Sequence, residues 1–168
     1  IGRNHFSASV MSEDAQNLLL HRMAEPKAKK GMTLVKNKLM KMDAWSGLVL
    51  GNHAVARAMV ESGVRVITNY PGSPTPEIAD ALDEVPKDAR SYYFEYSTNE
   101  KVALEVAAGA SMNGHLSAVF FKSVGLNVAS DSLIQLPLLE LIGGMVIVLG
   151  DDPGANSSQN EQDNRHFA

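Results

Sequence analysis

The chain has 168 residues, of which 45% are hydrophobic and 20% charged, with a net charge of -4; this is enough to bury one core, and the weak acidic balance gives no reason to expect nucleic acid as a partner. It contains no cysteine, which excludes disulfides and any cysteine-ligated zinc or iron-sulfur cluster within the chain, so an electron acceptor would have to sit elsewhere. No apolar run approaches the roughly 20 residues needed to cross a bilayer, and no basic-then-apolar leader opens the chain; the expectation is a cytoplasmic protein with no membrane partner.

Residues 1–45 read as an N-terminal extension. Ser12 is placed to cap a short helix with Glu13 and Asp14 in its first turn, and Pro26 stops it. Lys27, Lys29, Lys30, Lys36, Lys38 and Lys41 then make a lysine-rich arm, either a solvated segment or a dock for an acidic partner. Composition places the domain boundary near Trp45 and assigns residues 46–168 to a single domain.

From Leu48 onward the hydrophobic period alternates between strand-like and helix-like runs, which predicts an α/β fold: three layers, a mainly parallel sheet with helices on both faces. Asn52 is expected to cap a helix ending near Glu61, with Gly63 as its left-handed stop. Val64 to Thr68 reads as a strand, Tyr70-Pro71-Gly72-Ser73-Pro74 as a rigid turn, and Thr75-Pro76 as the start of a helix lasting to about Leu82. Tyr92 to Tyr96 is the next strand. Ser97 is placed to open a helix rich in small residues, and Ser97-Thr98-Asn99-Glu100 has capping-box spacing, with Glu100 three residues after the cap. Gly114 ends that helix. Ser117 to Lys122 is a strand, a helical stretch from about Val128 to Leu141 is interrupted by Pro137, and Met145 to Leu149 is a further strand.

If the strands are parallel, the loops that follow them meet on one rim, where open α/β sheets hold ligands. Four segments should converge there: the Tyr70 to Pro74 turn, the Ser97 to Glu100 helix start, the Lys122 to Asn127 loop, and the polar stretch from Asp151. Gly109 to Gly114 has phosphate-loop glycine spacing, but His115 stands where lysine is required. His5, His21, His53, His115 and His166 lack ligand spacing, so no metal is expected on this chain.

Several strings, in order, resemble the alpha subunit of indolepyruvate:ferredoxin oxidoreductases and related 2-oxoacid oxidoreductases. They are Gly51-Asn52, Tyr70-Pro71-Gly72-Ser73-Pro74, Asn99-Glu100-Lys101-Val102-Ala103-Leu104-Glu105, Val124-Gly125-Leu126-Asn127-Val128-Ala129, Asp151-Asp152-Pro153-Gly154 and Ser157-Ser158-Gln159-Asn160-Glu161-Gln162-Asp163. The resemblance spans roughly residues 48 to 168 and implies the pyrimidine-binding domain of a thiamine diphosphate-binding fold, here incomplete and part of a larger subunit.

It also implies roles. Glu100 would activate thiamine diphosphate through a ring nitrogen of its aminopyrimidine, for which a carboxyl group must be drawn out of bulk water; Glu105, further along the same helix, is the rival. Gly125 and Asn127 would lie near the cofactor, and Ser73, Lys122 and Asn160 near the 2-oxoacid, where backbone N–H groups, a hydroxyl and a cation suit a carboxylate. Read on the residues alone, Ser73 fits a plain Pro-Gly turn and Lys122 a snorkelling edge lysine. Magnesium and iron-sulfur clusters are expected in the complete enzyme but not on this chain, as are a diphosphate-binding domain, ferredoxin, coenzyme A and an oligomeric assembly. The substrate class implied is indolepyruvate or another aryl pyruvate. Two alternatives stay open: a non-catalytic assembly or binding module on the same fold, and a flavodoxin-like binding domain.

Overall fold

The computed structural model describes residues 44, 46–156 and 159–166, all within one structural unit. The expected Ser12 helix, the lysine-rich arm, the boundary at Trp45 and the Ser157-Ser158 pair lie outside the described residues.

Four strands, β1 (Val66–Asn69), β2 (Tyr93–Tyr96), β3 (Ser117–Lys122) and β4 (Met145–Gly150), form one sheet in the order β2-β1-β3-β4. Every pairing is parallel: Asn69 stands opposite Tyr96 on one side and Phe120 on the other, and Lys122 opposite Gly150. The helices are α1 (Gly51–Glu61), α2 (Pro76–Asp83), α3 (Glu100–Met112) and α4 (Gly125–Leu133).

β3 shows why the architecture has three layers. Its run Ser-Ala-Val-Phe-Phe is buried throughout, as a parallel strand covered on both faces requires. Ala118 and Phe120 pack with Met59 and Val60 of α1, Ile78 and Leu82 of α2, and Ile67 of β1. Val119 and Phe121 face the other way, onto Ala103, Leu104 and Ala107 of α3 and Leu126 and Ala129 of α4. Each fully buried large side chain in these layers contributes about 1.5–3 kcal/mol through burial.

Small residues on α3 bring that helix close to the sheet. Thr68 Oγ1 donates to the Ala103 carbonyl at 2.7 Å and Ser117 Oγ to the Ala107 carbonyl at 2.7 Å, so two buried hydroxyls are satisfied by the helix that covers them. Lys101 Nζ and Asp131, 2.6 Å apart, join α3 to α4, and each holds the other further toward its charged form.

Several expected elements differ: the strand expected at Val64 to Thr68 spans Val66–Asn69, and the helix expected to open at Ser97 begins at Glu100. Asn52 does not cap α1: Leu50 occupies that position without a side-chain bond, and the Asn52 amide instead donates to the Pro74 carbonyl at 2.6 Å and Glu77 Oε2 at 2.8 Å. The stretch expected as helix from Val128 to Leu141 begins at Gly125 and ends at Leu133, with only a 3-10 turn at Leu136–Leu138 beyond. Pro137 lacks the N–H that continuation needs. Gly63 and Gly114 adopt φ of 74° and 82° after α1 and α3, as helix-ending glycines do.

Candidate active site

β1 lies between β2 and β3, but the chain leaves it in one direction and returns on the other. α2, which follows β1, packs on one face; α3, which follows β2, packs on the opposite face. Such a reversal opens a crevice at the C-terminal ends of the two strands beside it, here β1 and β3.

The turn after β1 folds over the neighbouring strand ends. A Cβ added to Gly72 would lie 2.7 Å from Lys122 Cβ, and one added to Gly150 would lie 2.5 Å from Thr75 Cγ2 and 2.9 Å from Pro74 Cδ. Only glycine permits either approach. Thr75 Oγ1 donates to the Gly72 carbonyl at 2.8 Å and closes the turn, the Ser73–Pro74 peptide is cis, and Asn52 holds the turn from α1. Ser73 stands on the exposed side.

Glu100 is the first residue of α3, not its third. Asn99 is the cap, its Oδ1 accepting from Val102 N at 2.9 Å, so the Ser97–Glu100 capping box does not form. The buried Ser97 donates to Glu95 Oε1 at 2.9 Å instead. Glu100 is therefore released from capping. It is partly buried, and it lies against the first residue of α4: a Cβ on Gly125 would stand 2.5 Å from Glu100 Cγ, 2.7 Å from Oε1 and 2.9 Å from Cδ. Glu105, the rival carboxylate, is exposed and accepts from Ser132 Oγ at 2.6 Å, a clamp between two helices.

The polar stretch after β4 folds back across the loop between β3 and α4. Asn164 is buried; its side-chain amide donates to Asp151 Oδ1 at 2.7 Å and to the Ser123 carbonyl at 3.1 Å, while its backbone N–H donates to Asp151 Oδ2 at 2.8 Å. Gln162 donates to Asn164 Oδ1 at 2.6 Å and exchanges hydrogen bonds of 2.8 and 3.1 Å with Asn127. Lys122 Nζ donates to Asn160 Oδ1 at 3.2 Å.

Thus the structure brings together Glu100 with Gly125, Lys122 with Asn160 and Gly72, and Asn127 with Gln162, all on one rim. The four expected segments converge. Ser73 shares the rim through its turn.

Sequence reasoning overlooked Asn69 and Ser123. Asn69 ends β1 fully buried, and neither its amide nitrogen nor its oxygen has a partner; Ser123 Oγ, just past β3, is equally buried and unpaired. Buried polar groups are rarely left so, and both stand at the C-terminal ends of the two strands that flank the crevice, Asn69 as the last residue of β1 and Ser123 as the first after β3. The available signal was an asparagine closing a run of β-branched residues, Val-Ile-Thr-Asn. A cavity of about 440 Å³ runs along β2, lined by Asp83, Lys87, Arg90 and residues 92–96, and none of the candidate residues lines it.

A carboxylate facing a side-chain-free helix start, with unpaired polar groups at the neighbouring strand ends, is an arrangement that can meet a basic ring nitrogen in a partly desolvated crevice. Among the described residues no three His, Asp or Glu side chains gather as a metal site. No helix of the described residues is long and apolar enough to cross a membrane.

No protein-family model matches the chain. It is 52% identical over 130 residues to the indolepyruvate oxidoreductase subunit IorA of Methanothermobacter marburgensis, covering 76% of this chain and 21% of that protein. The corresponding subunit of Methanothermobacter thermautotrophicus is 54% identical over 120 residues (71% and 19%), and that of Archaeoglobus fulgidus 48% over 122 residues (71% and 20%). The chain spans about a fifth of the length of these relatives. Among solved structures, a 2-oxoglutarate:ferredoxin oxidoreductase from Magnetococcus marinus with 2-oxoglutarate, coenzyme A and succinyl-CoA bound matches with a TM-score of 0.56 at 22% identity, over 71% of this chain and 21% of that one. That likeness concerns the fold.

Proposed function

From its kinship to indolepyruvate oxidoreductase IorA subunits, we propose that this chain is the cofactor-activating part of a cytoplasmic 2-oxoacid:ferredoxin oxidoreductase acting on indolepyruvate or another aryl pyruvate. The observation that carries the reading is the state of Glu100: partly buried on the ligand-bearing rim, seated against Gly125, and relieved of capping by Asn99.

Glu100 would hold a proton at the pyrimidine nitrogen of thiamine diphosphate, which when bound supplies the carbon nucleophile for the 2-oxoacid. Asn127, fixed by Gln162, would border the cofactor with Gly125. Lys122 would compensate the carboxylate charge of the substrate, with Asn160 orienting its ammonium group and Ser73 offering a hydroxyl. Low-dielectric surroundings strengthen such pairings as substrate displaces water. Magnesium, the diphosphate, the iron-sulfur clusters, ferredoxin and coenzyme A would be served by other domains or subunits of an oligomer, and this chain by itself would not turn over.

Replacing Glu100→Gln in the assembled enzyme keeps the shape and removes the proton exchange. Turnover should fall by at least about 100-fold, within the range of a lost acid-base group, with the thermal midpoint unchanged. Near-parental turnover would refute the assignment and favour a non-catalytic assembly module.

A further inference from the structure

We propose that Gly125 is a positioning residue for Glu100: its missing side chain creates the seat that fixes where the carboxylate is presented. The inference rests on the reading of Glu100 given above. Three observations carry it. A Cβ at Gly125 would fall 2.5 Å from Glu100 Cγ, 2.7 Å from Oε1 and 2.9 Å from Cδ, separations that cannot coexist with the present rotamer. Gly125 is buried and its φ is not positive, so its backbone would accept alanine; the glycine is required by its neighbour and not by its own conformation. The cap position of α4, Val124, makes no side-chain hydrogen bond, so no capping side chain is displaced when position 125 is changed.

The chemistry follows from which atoms collide. All three are the outer part of a flexible side chain. A methyl group at position 125 would leave the backbone of both helices in place and drive Glu100 to another rotamer, carrying its carboxylate away from α4. The fold would survive while the carboxylate lost its aim. This distinguishes Gly125 from Gly143, where an added Cβ would meet the backbone of His115 at 2.4 Å and the chain itself would have to move.

The test uses Gly125→Ala in the assembled enzyme, alone and combined with Glu100→Gln. Three quantities are measured: the cofactor-free thermal midpoint, the affinity of cofactor-stripped enzyme for thiamine diphosphate, and the separate kcat and KM values for the 2-oxoacid. The midpoint should hold or rise slightly, since alanine replaces glycine in a helix. The cofactor should bind about tenfold more weakly, and kcat should fall by about 100-fold, the scale of an ångström-sized misplacement, with KM unchanged. Added to Glu100→Gln, Gly125→Ala should cost nothing further, because the group it displaces no longer acts. A fall in midpoint that accounts for the lost activity would make Gly125 a packing residue and overturn the proposal. So would a kcat within twofold of the parent, or full additivity with Glu100→Gln. Full activity of Glu100→Gln alone would instead refute the reading on which the proposal rests, so the two failures are told apart.

Discussion

Asn69 ends β1 with an amide that finds neither donor nor acceptor. Leaving such a group buried costs about 1–3 kcal/mol, so replacing it with a β-branched apolar residue of similar size should help the ligand-free fold. Asn69→Val is expected to raise stability by about 1 kcal/mol in denaturant titration, while the ligand affinity of the assembled enzyme falls if the amide meets a bound group. The same scale shows how legible the candidate site was. The resemblance points to Glu100, while spacing alone leaves a capping role open, because Ser97 and Asn99 are both good caps and spacing does not choose between them. The burial of Ser97 beside Glu95 decides the matter, and that is a tertiary fact. Asn69 was passed over because pattern reading registers polarity only as an interruption of a strand.

At the scale of elements, the end of α2 is tied to the start of β2 by two side chains. Tyr92 Oη donates to the Leu82 carbonyl at 2.8 Å, and Arg90 donates to the Val85 and Asp83 carbonyls at 2.6 Å each. The Leu82 and Asp83 carbonyls are among those that the end of a helix leaves unpaired. Burial pushes the Tyr92 hydroxyl up to about 12, with Asp83 adding to the rise and Arg90 opposing it. The folded chain therefore keeps this proton where the unfolded chain, ionising near the usual 10, has lost it. Its contribution is fully present below about pH 10 and is lost as pH rises toward 12. Urea titrations across that window should show falling stability, and Tyr92→Phe should reduce the slope without abolishing it, because Tyr93 and Tyr96 shift in the same direction. Strands with continuous apolar runs were legible: β3 has the bounds its sequence predicts. α4 was not, because a glycine at its first position looks like a break, whereas here it serves a contact from another helix.

For the molecule as a whole, the two sheet edges differ. Among the described residues β2 is bordered by charged and tyrosine side chains, whereas β4 is the other edge strand, with Val146 exposed; Ile134, Leu138 and Ile142 are also exposed, at 71%, 84% and 68%. An apolar edge of this kind invites association. The isolated chain is expected to self-associate at micromolar concentration, and Ile142→Lys together with Val146→Lys should shift it toward monomer in sedimentation velocity; a parent that stays monomeric would contradict this. The layered architecture was readable from alternating periodicity, whereas exposure at this edge depends on which strand ends up outermost.

The sheet order carries one more consequence. Each pairing on the rim bridges a long stretch of chain: Asn52 to Pro74, Glu100 to Gly125, Lys122 to Asn160, Asn164 to Ser123. No short peptide excised from the polypeptide could preserve the crevice, so the assembled rim should emerge in a single late event during refolding, after all four strands have docked.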